Sequence, residues 1–159
     1  MLNFRAAGGR FNVRVGGVAR RDGRTLLHRM AGDSFWTLPG GRIELHETAA
    51  EALVRELDEE TGLVVSAGPV LWVAENFFDW QGEPYHEIAF FLAMTVEGET
   101  PQTFAGCEGE LELEYAWLDP SDPELVIVPG FLKTGLLEPP SETRHVVVRD
   151  WPSSLRTTG

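Results

Sequence analysis

The chain has 159 residues, 43% hydrophobic and 24% charged, with a formal net charge of −12. That length suits one domain, read as 1–159, with a full-sized core, and the composition is ordinary for a globular protein. The negative charge argues against non-specific binding to nucleic acid or to a membrane surface, both of which need basic surface. The longest apolar stretch, "IAFFLAM" at 88–94, is too short to span a bilayer, and no N-terminal apolar run has the length of a signal peptide. The single cysteine, Cys107, excludes an internal disulfide and is read as an inert thiol, which fits a reducing, cytoplasmic location. The expected partner is a small molecule, and a homodimer is left open.

Charge is unevenly spread. Nine of the thirteen basic residues, all arginines, lie in the first 55 positions. From Glu56 to Leu132 there is no Lys or Arg, against seventeen Asp and Glu. A polyphosphate ligand would therefore need N-terminal arginines, or metal ions held by the acids.

In chain order, "FNVRVGGVAR" and "TLLHRM" flank "RDG" and read as a hairpin. "FWTLPGG" is a short extended piece ending in a tight Gly turn. Thr48 and Glu51 form a capping box that starts a helix near Ala49, and Gly62 ends it as a C′ residue. Ala50, Leu53, Val54 and Leu57 fall at i, i+3, i+4 and i+7 and are expected to face the core. "VLWVAENFFDW" and "YHEIAFFLAMTV" around "QGEP" predict a long aromatic-rich hairpin. "LELEYAWLD" alternates, with Leu111, Leu113, Tyr115 and Trp117 on one face and Glu112 and Glu114 on the other. A short helix near "GFLKTGLL" and an edge strand at "HVVVRD" complete an α+β class.

The helix poses a physical problem. Its last turns carry Glu56, Asp58, Glu59 and Glu60, where the helix dipole disfavours acids and like charges repel at i+3 and i+4. On a 3.6-residue wheel, Glu56, Glu59 and Glu60 cluster about a third of a turn from the apolar stripe. Three carboxylates side by side suit a hard divalent cation whose shell is completed by water and substrate phosphate.

Gly41, then five residues, Glu47, seven residues, then "RELDEETGL" (55–63) resembles the signature of the Nudix hydrolases at every specified position. The pattern fixes Gly41, Glu47, Arg55, Glu56, Glu59, Glu60 and Gly62, with aliphatic residues at Leu57 and Leu63. Residue types each used at roughly 5–7% would match this by chance in about one register in 10⁹. The resemblance implies a Nudix-type α/β/α sandwich with a mixed central sheet. It also implies Mg²⁺- or Mn²⁺-dependent hydrolysis of a nucleoside diphosphate linked to another group. By that similarity Glu56, Glu59 and Glu60 bind metal, with the Gly40 carbonyl as an extra ligand, and Glu56 and Glu59 count as catalytic. Glu47 and Arg55 look like the internal pair holding the loop to the helix. A further glutamate after the box assists in many members; Glu108, Glu110 and Glu112 are the options here, with Glu110 carried as the catalytic choice and Glu44 as a weaker one.

Substrate contacts are open between function and packing. Trp36, Phe78, Trp80 and Tyr85 are able to stack on a base, although aromatic residues in strands more often build core. His86 is an option for phosphate or ribose. Arg14, Arg29 and Arg42 are options for clamping phosphates, with Arg42 favoured because it follows the Gly turn. Subfamily markers are missing: Phe78 and Asp79 stand where ADP-ribose enzymes tend to carry proline, and Trp80 stands near the tyrosine position of dinucleoside polyphosphate enzymes. The expectation is therefore a (deoxy)nucleoside triphosphate or an oxidised nucleotide. Nucleotide sugars, ADP-ribose and dinucleoside polyphosphates are the alternatives. A non-catalytic nucleotide sensor is disfavoured by the intact glutamates, and an isomerase by the expected position of Cys107 in a Gly-flanked loop.

Overall fold

Residues 1–149 are described by the structure, a computed structural model. β1 (Asn3–Ala6) pairs antiparallel with β2 (Gly9–Val18), and β3 (Arg20–Arg21) with β4 (Arg24–Met30). β5 (Gly40–Arg42) leads into helix α1 (Ala49–Thr61). β6 (Val65–Trp80) and β7 (Glu83–Val96) make the long hairpin, and β8 (Thr103–Glu108) and β9 (Leu111–Leu118) a shorter one. The single-turn α2 (Leu132–Gly135) and β10 (Arg144–Val148) follow; Asp150, the end of the expected edge strand, lies outside the described residues.

Both predicted hairpin turns have the same geometry. Asp22–Gly23 (φ 51° and 76°) and Gln81–Gly82 (φ 51° and 77°) carry positive φ at both central residues. That is the type I′ form, whose twist matches the strands it joins. The first hairpin is shorter than its sequence suggests, because β2 does not pair with β4. β2 runs parallel to β7 in a mixed six-stranded sheet ordered β1-β2-β7-β6-β10, with β5 also on β2. The chain then crosses at Ala19 into a second, four-stranded sheet, β3-β4-β9-β8. Burial explains the switch: Val15 packs in the core that includes α1, while Val18 packs in the other core, so β2 is buried on both faces.

The three layers follow from alternation along β7. Leu92 and Met94 join Ala52, Leu53 and Leu57 of α1 in one core. Ala89 and Phe91 join Trp72 of β6 and Leu132 and Leu136 around α2 in the other. The architecture is the expected α+β sandwich. Among the described residues no helix is long and apolar enough to cross a membrane.

Three local expectations need correcting. The buried stripe of α1 is Ala52, Leu53, Leu57 and Glu60, while Val54 is 40% exposed. The stripe is rotated because an acid, Glu60, takes the core-facing place seven residues after Leu53. On β9, Leu113, Tyr115 and Trp117 are buried as expected, but Leu111 at the strand's end is 51% exposed. Cys107 is not in a loop: it lies exposed in β8, opposite Glu112, in a strand too rich in small residues to announce itself. β1, rich in arginine and polar residues, was likewise not legible.

The capping box of α1 is present: the Thr48 hydroxyl accepts from the Glu51 amide at 3.2 Å, and the Glu51 carboxylate accepts from the Thr48 amide at 2.8 Å. Thr48→Ala is expected to lower stability by about 1 kcal/mol. Urea unfolding checks this as a lower midpoint at unchanged slope; an unmoved midpoint would mean that tertiary packing alone starts the helix.

Candidate active site

The Gly40–Gly41 turn is pressed between β2 and α1. A Cβ on Gly40, at a φ of 152°, would lie 2.0 Å from the Val15 carbonyl oxygen, and one on Gly41 would lie 2.3 Å from the Glu56 carboxyl carbon. Backbone excludes a side chain at Gly40, and at Gly41 one would have to displace the Glu56 carboxylate, which otherwise meets the backbone itself. Arg55 locks this contact. Its Nε and Nη2 donate to the two Glu47 carboxylate oxygens at 2.7 and 2.9 Å, a two-pronged pairing, and Nη2 also donates to the Arg42 carbonyl at 3.2 Å. Its Nη1 donates to Glu56 at 2.9 Å and to Glu59 at 3.1 Å. The expected Glu47–Arg55 pair is thus part of a larger hub. Arg55 holds the Glu47 carboxyl below its ordinary range, and the hydrogen bonds it donates to Glu47 raise the guanidinium further, so it stays charged.

The acids on α1 have separate environments. Glu60 is only 6% exposed, and the Tyr115 hydroxyl donates to its Oε2. Burial pushes the Glu60 carboxyl up to about 7; Tyr115 opposes the shift, and Glu56 and Glu108 add to it. Burial also raises Glu56; Arg55 opposes, and Glu59 and Glu108 add. His28 Nδ1 lies 3.9 Å from Glu60 Oε2, but burial, helped by Arg14, lowers the imidazole to about 3. The His28 ring is therefore neutral and forms no ion pair. Among the described residues no three acid or histidine side chains form a closed metal cage. Glu56, Glu60 and Glu108 nevertheless share an electrostatic field, and their hard oxygen donors fit a cation that takes much of its shell from water and phosphate.

A cavity of about 280 Å³ opens beside these acids, between the two sheets. Of the expected substrate residues, Phe78, Trp80 and Tyr85 line it, with Gly40, Gly41 and Arg42 at another wall. Trp36 does not; its ring lies under the Arg29 guanidinium at 4.4 Å, and it packs against the core that includes α2. His86 points to the opposite side of β7, where its ring meets Phe77 at 4.5 Å and Phe11 at 5.4 Å. Strand alternation separates it from Tyr85 and Glu87, which face the cavity. Glu110 sits exposed in the β8–β9 turn and Glu112 is exposed on β9, whereas Glu108 lines the cavity and acts on Glu56 and Glu60. Glu59 is 60% exposed at its side chain, tied to Arg55 beside Glu56.

The three arginine options also separate. Arg29 is held by Glu114 at 2.6 Å and by the Asp33 carbonyl at 2.9 Å. Arg42 contacts Met1 Sδ at 3.4 Å. Arg14 lines the cavity, and its Nε is buried without a hydrogen-bond partner. Asn12 and Glu87, also in the lining, escaped notice because single polar residues in apolar strand runs carry no spacing signal.

Two glycines clamped through an Arg–Glu pair onto an acid-rich helix end thus stand beside a cavity lined by Glu108, Glu87 and Arg14. The Nudix domain family profile matches residues 10–134, and the chain belongs to that family. It is 31% identical over 115 residues to a CTP pyrophosphohydrolase of Escherichia coli, covering 68% of this chain and 83% of that protein. It is 36% identical over 85 residues to an 8-oxo-dGTP diphosphatase of Proteus vulgaris, covering 53% of this chain and 70% of that one. Three further relatives match over 46 to 90 residues, and there the chain spans only 25% to 43% of their length. The crystal structure of a MutT protein from Bacillus halodurans shares the fold, with a TM-score of 0.67 at 20% identity over 89% of this chain and 91% of that one.

Burial of Glu60 has a measurable consequence. A carboxyl raised in the folded state stabilises the fold fully below its unfolded value of 4.5, and that contribution is lost as pH rises through about 7. In EDTA, the melting temperature of Glu60→Gln minus that of the parent is expected to grow across this window. A difference that does not change with pH would show that Glu60 is already ionised at the lower end.

Proposed function

We propose that the chain hydrolyses a diphosphate linkage in a nucleoside diphosphate derivative, assisted by Mg²⁺ or Mn²⁺. The observation that supports this most is the meeting of Glu56, Glu60 and Glu108 at the Gly40–Gly41 turn, beside a cavity that also holds Arg14. The Gly40 carbonyl, Glu56, Glu60 and Glu59, which stands next to Glu56 on Arg55 Nη1, would hold the ion. A bound divalent cation supplies charge neutralisation at phosphate oxygens and acidifies water.

The protein groups divide the remaining work. Arg55 and Glu47 keep the glycine turn against α1, so the Gly40 carbonyl and the acids hold a common geometry. Arg14 offers a buried, unpaired N–H donor and a positive charge to the phosphate chain. Glu108, exposed and acting on both Glu56 and Glu60, replaces Glu110 as the acid best placed to take a proton from attacking water. The aromatic wall of Phe78, Tyr85 and Trp80 suits a base. A nucleoside triphosphate or its oxidised form fits this cavity, in line with the names of the Escherichia coli and Proteus relatives.

A panel of nucleoside triphosphates, nucleotide sugars and ADP-ribose, assayed with Mg²⁺, Mn²⁺ or excess EDTA, tests the reading. Turnover is expected only with the divalent ion, and full activity in EDTA would sink it. Glu108→Gln is expected to lower kcat about 10²-fold, the scale of losing a positioned acid or base, while Glu110→Gln stays near the parent. The reverse order would return the role to Glu110.

A further inference from the structure

We propose that Glu87, held by Asn12 and Asn76 on the wall of the same cavity, reads the paired N–H edge of a guanine base. This rests on the nucleotide reading above and narrows it to one base. The three residues form one rung across the mixed sheet, with Asn12 on β2, Glu87 on β7 and Asn76 on β6 directly opposite one another. They are 3%, 7% and 0% exposed. Asn12 Nδ2 donates to Glu87 Oε2 at 2.9 Å, and Asn76 Nδ2 donates to Oε1 at 2.9 Å.

Both Glu87 oxygens accept, so both amides turn their NH₂ groups toward Glu87. Their Oδ1 atoms are then left buried without partners, as observed. Two of the roughly four lone-pair sites on the carboxylate are used, and two remain. Among the described residues no Lys or Arg forms an ion pair with Glu87. A buried acid fixed by two amides, without a cation, is a costly way to join strands. Facing a cavity with aromatic walls, it is an acceptor for a ligand's N–H groups.

The choice of base follows from donor patterns. Guanine presents its ring N1–H and its exocyclic amine side by side, a fork that both carboxylate oxygens accept. Hypoxanthine keeps the ring N–H and lacks the amine. Adenine and cytosine place an amine beside a ring-nitrogen acceptor, which a carboxylate repels. Uracil sets its N–H between two carbonyls.

Isothermal titration of GMP, IMP and AMP into the parent and Glu87→Gln tests this, alongside kcat/KM for GTP, ITP and ATP with Mg²⁺. The parent is expected to bind GMP at least about tenfold more tightly than IMP, with AMP weaker still, because a site built for a hydrogen bond rejects the ligand lacking it. In Glu87→Gln the GMP-to-IMP ratio should shrink to within about threefold, since an amide accepts through one oxygen only. The parent comparison needs no variant, so it decides even if Glu87→Gln does not fold. Equal binding of GMP and IMP by the parent, failure of GMP to bind at millimolar concentration, or an unchanged ratio in folded Glu87→Gln overturns the assignment. A Glu87-dependent GMP preference without hydrolysis would overturn the hydrolase reading and keep this one. Hydrolysis without guanine preference would do the opposite.

Discussion

The site depends on one guanidinium. Arg55 ties Glu47, the Arg42 carbonyl, Glu56 and Glu59 together, and so joins the loop after β5 to the last turns of α1. Without that charge, acids would crowd a helix end whose dipole already opposes them. With it, Glu47, Glu56 and Glu59 are hydrogen-bonded by a fork that remains protonated. Lysine, a point charge on a flexible stem, has too few fixed donors to serve all four partners. The glycines complete the constraint from the other side, since any side chain at Gly41 would occupy the volume of the Glu56 carboxyl.

Arg55 also changes the answer to why acids crowd that helix. Two of the three carboxylates have a cation within the protein. Glu60 makes no ion pair with one; its nearest partners are the Tyr115 hydroxyl and a neutral His28 ring, and Arg14 acts on it without an ion pair. Burial raises the Glu60 carboxyl instead, so the acids differ in environment where the sequence suggested an even triad. Solvent-facing Glu59, paired with Arg55, adds to the field at Glu56.

Features with a period or a local chemical signature were legible in the sequence. Thr48 and Glu51, Gly62, and the Asp22–Gly23 and Gln81–Gly82 turns each carry a rule within four residues, and the structure contains all of them. Legibility ended where tertiary partners decide. Glu60 is buried against Tyr115, 55 positions away, and the buried stripe of α1 turns toward Ala52 and Glu60, leaving Val54 exposed. β2 looked like half of a hairpin with β4, yet it pairs in parallel with β7 more than seventy residues downstream. The Glu87 rung draws one residue from each of three strands, so no short segment contains its pattern.

The arginines show how pairing sorts similar residues into different duties. Arg5 and Arg10 share Glu83, Arg29 is held by Glu114, and Arg21 lies over the Trp117 ring. Arg14 lines the cavity with a buried donor still unpaired, two rungs along the sheet from Asn12 and Glu87. Among the described residues Arg14 and Glu87 form no ion pair with each other, although each would relieve the other's burial. A self-paired Arg14–Glu87 bridge would leave the cavity electrically quiet and fit for apolar ligands. Held apart, the two groups present a cation and an anion two rungs apart in the cavity wall. A nucleotide has the complementary pair, an anionic phosphate chain and a base edge that donates hydrogen bonds. The separation of these two side chains by the strand register therefore accounts for a cavity lined by a cation, an anion and aromatic side chains together.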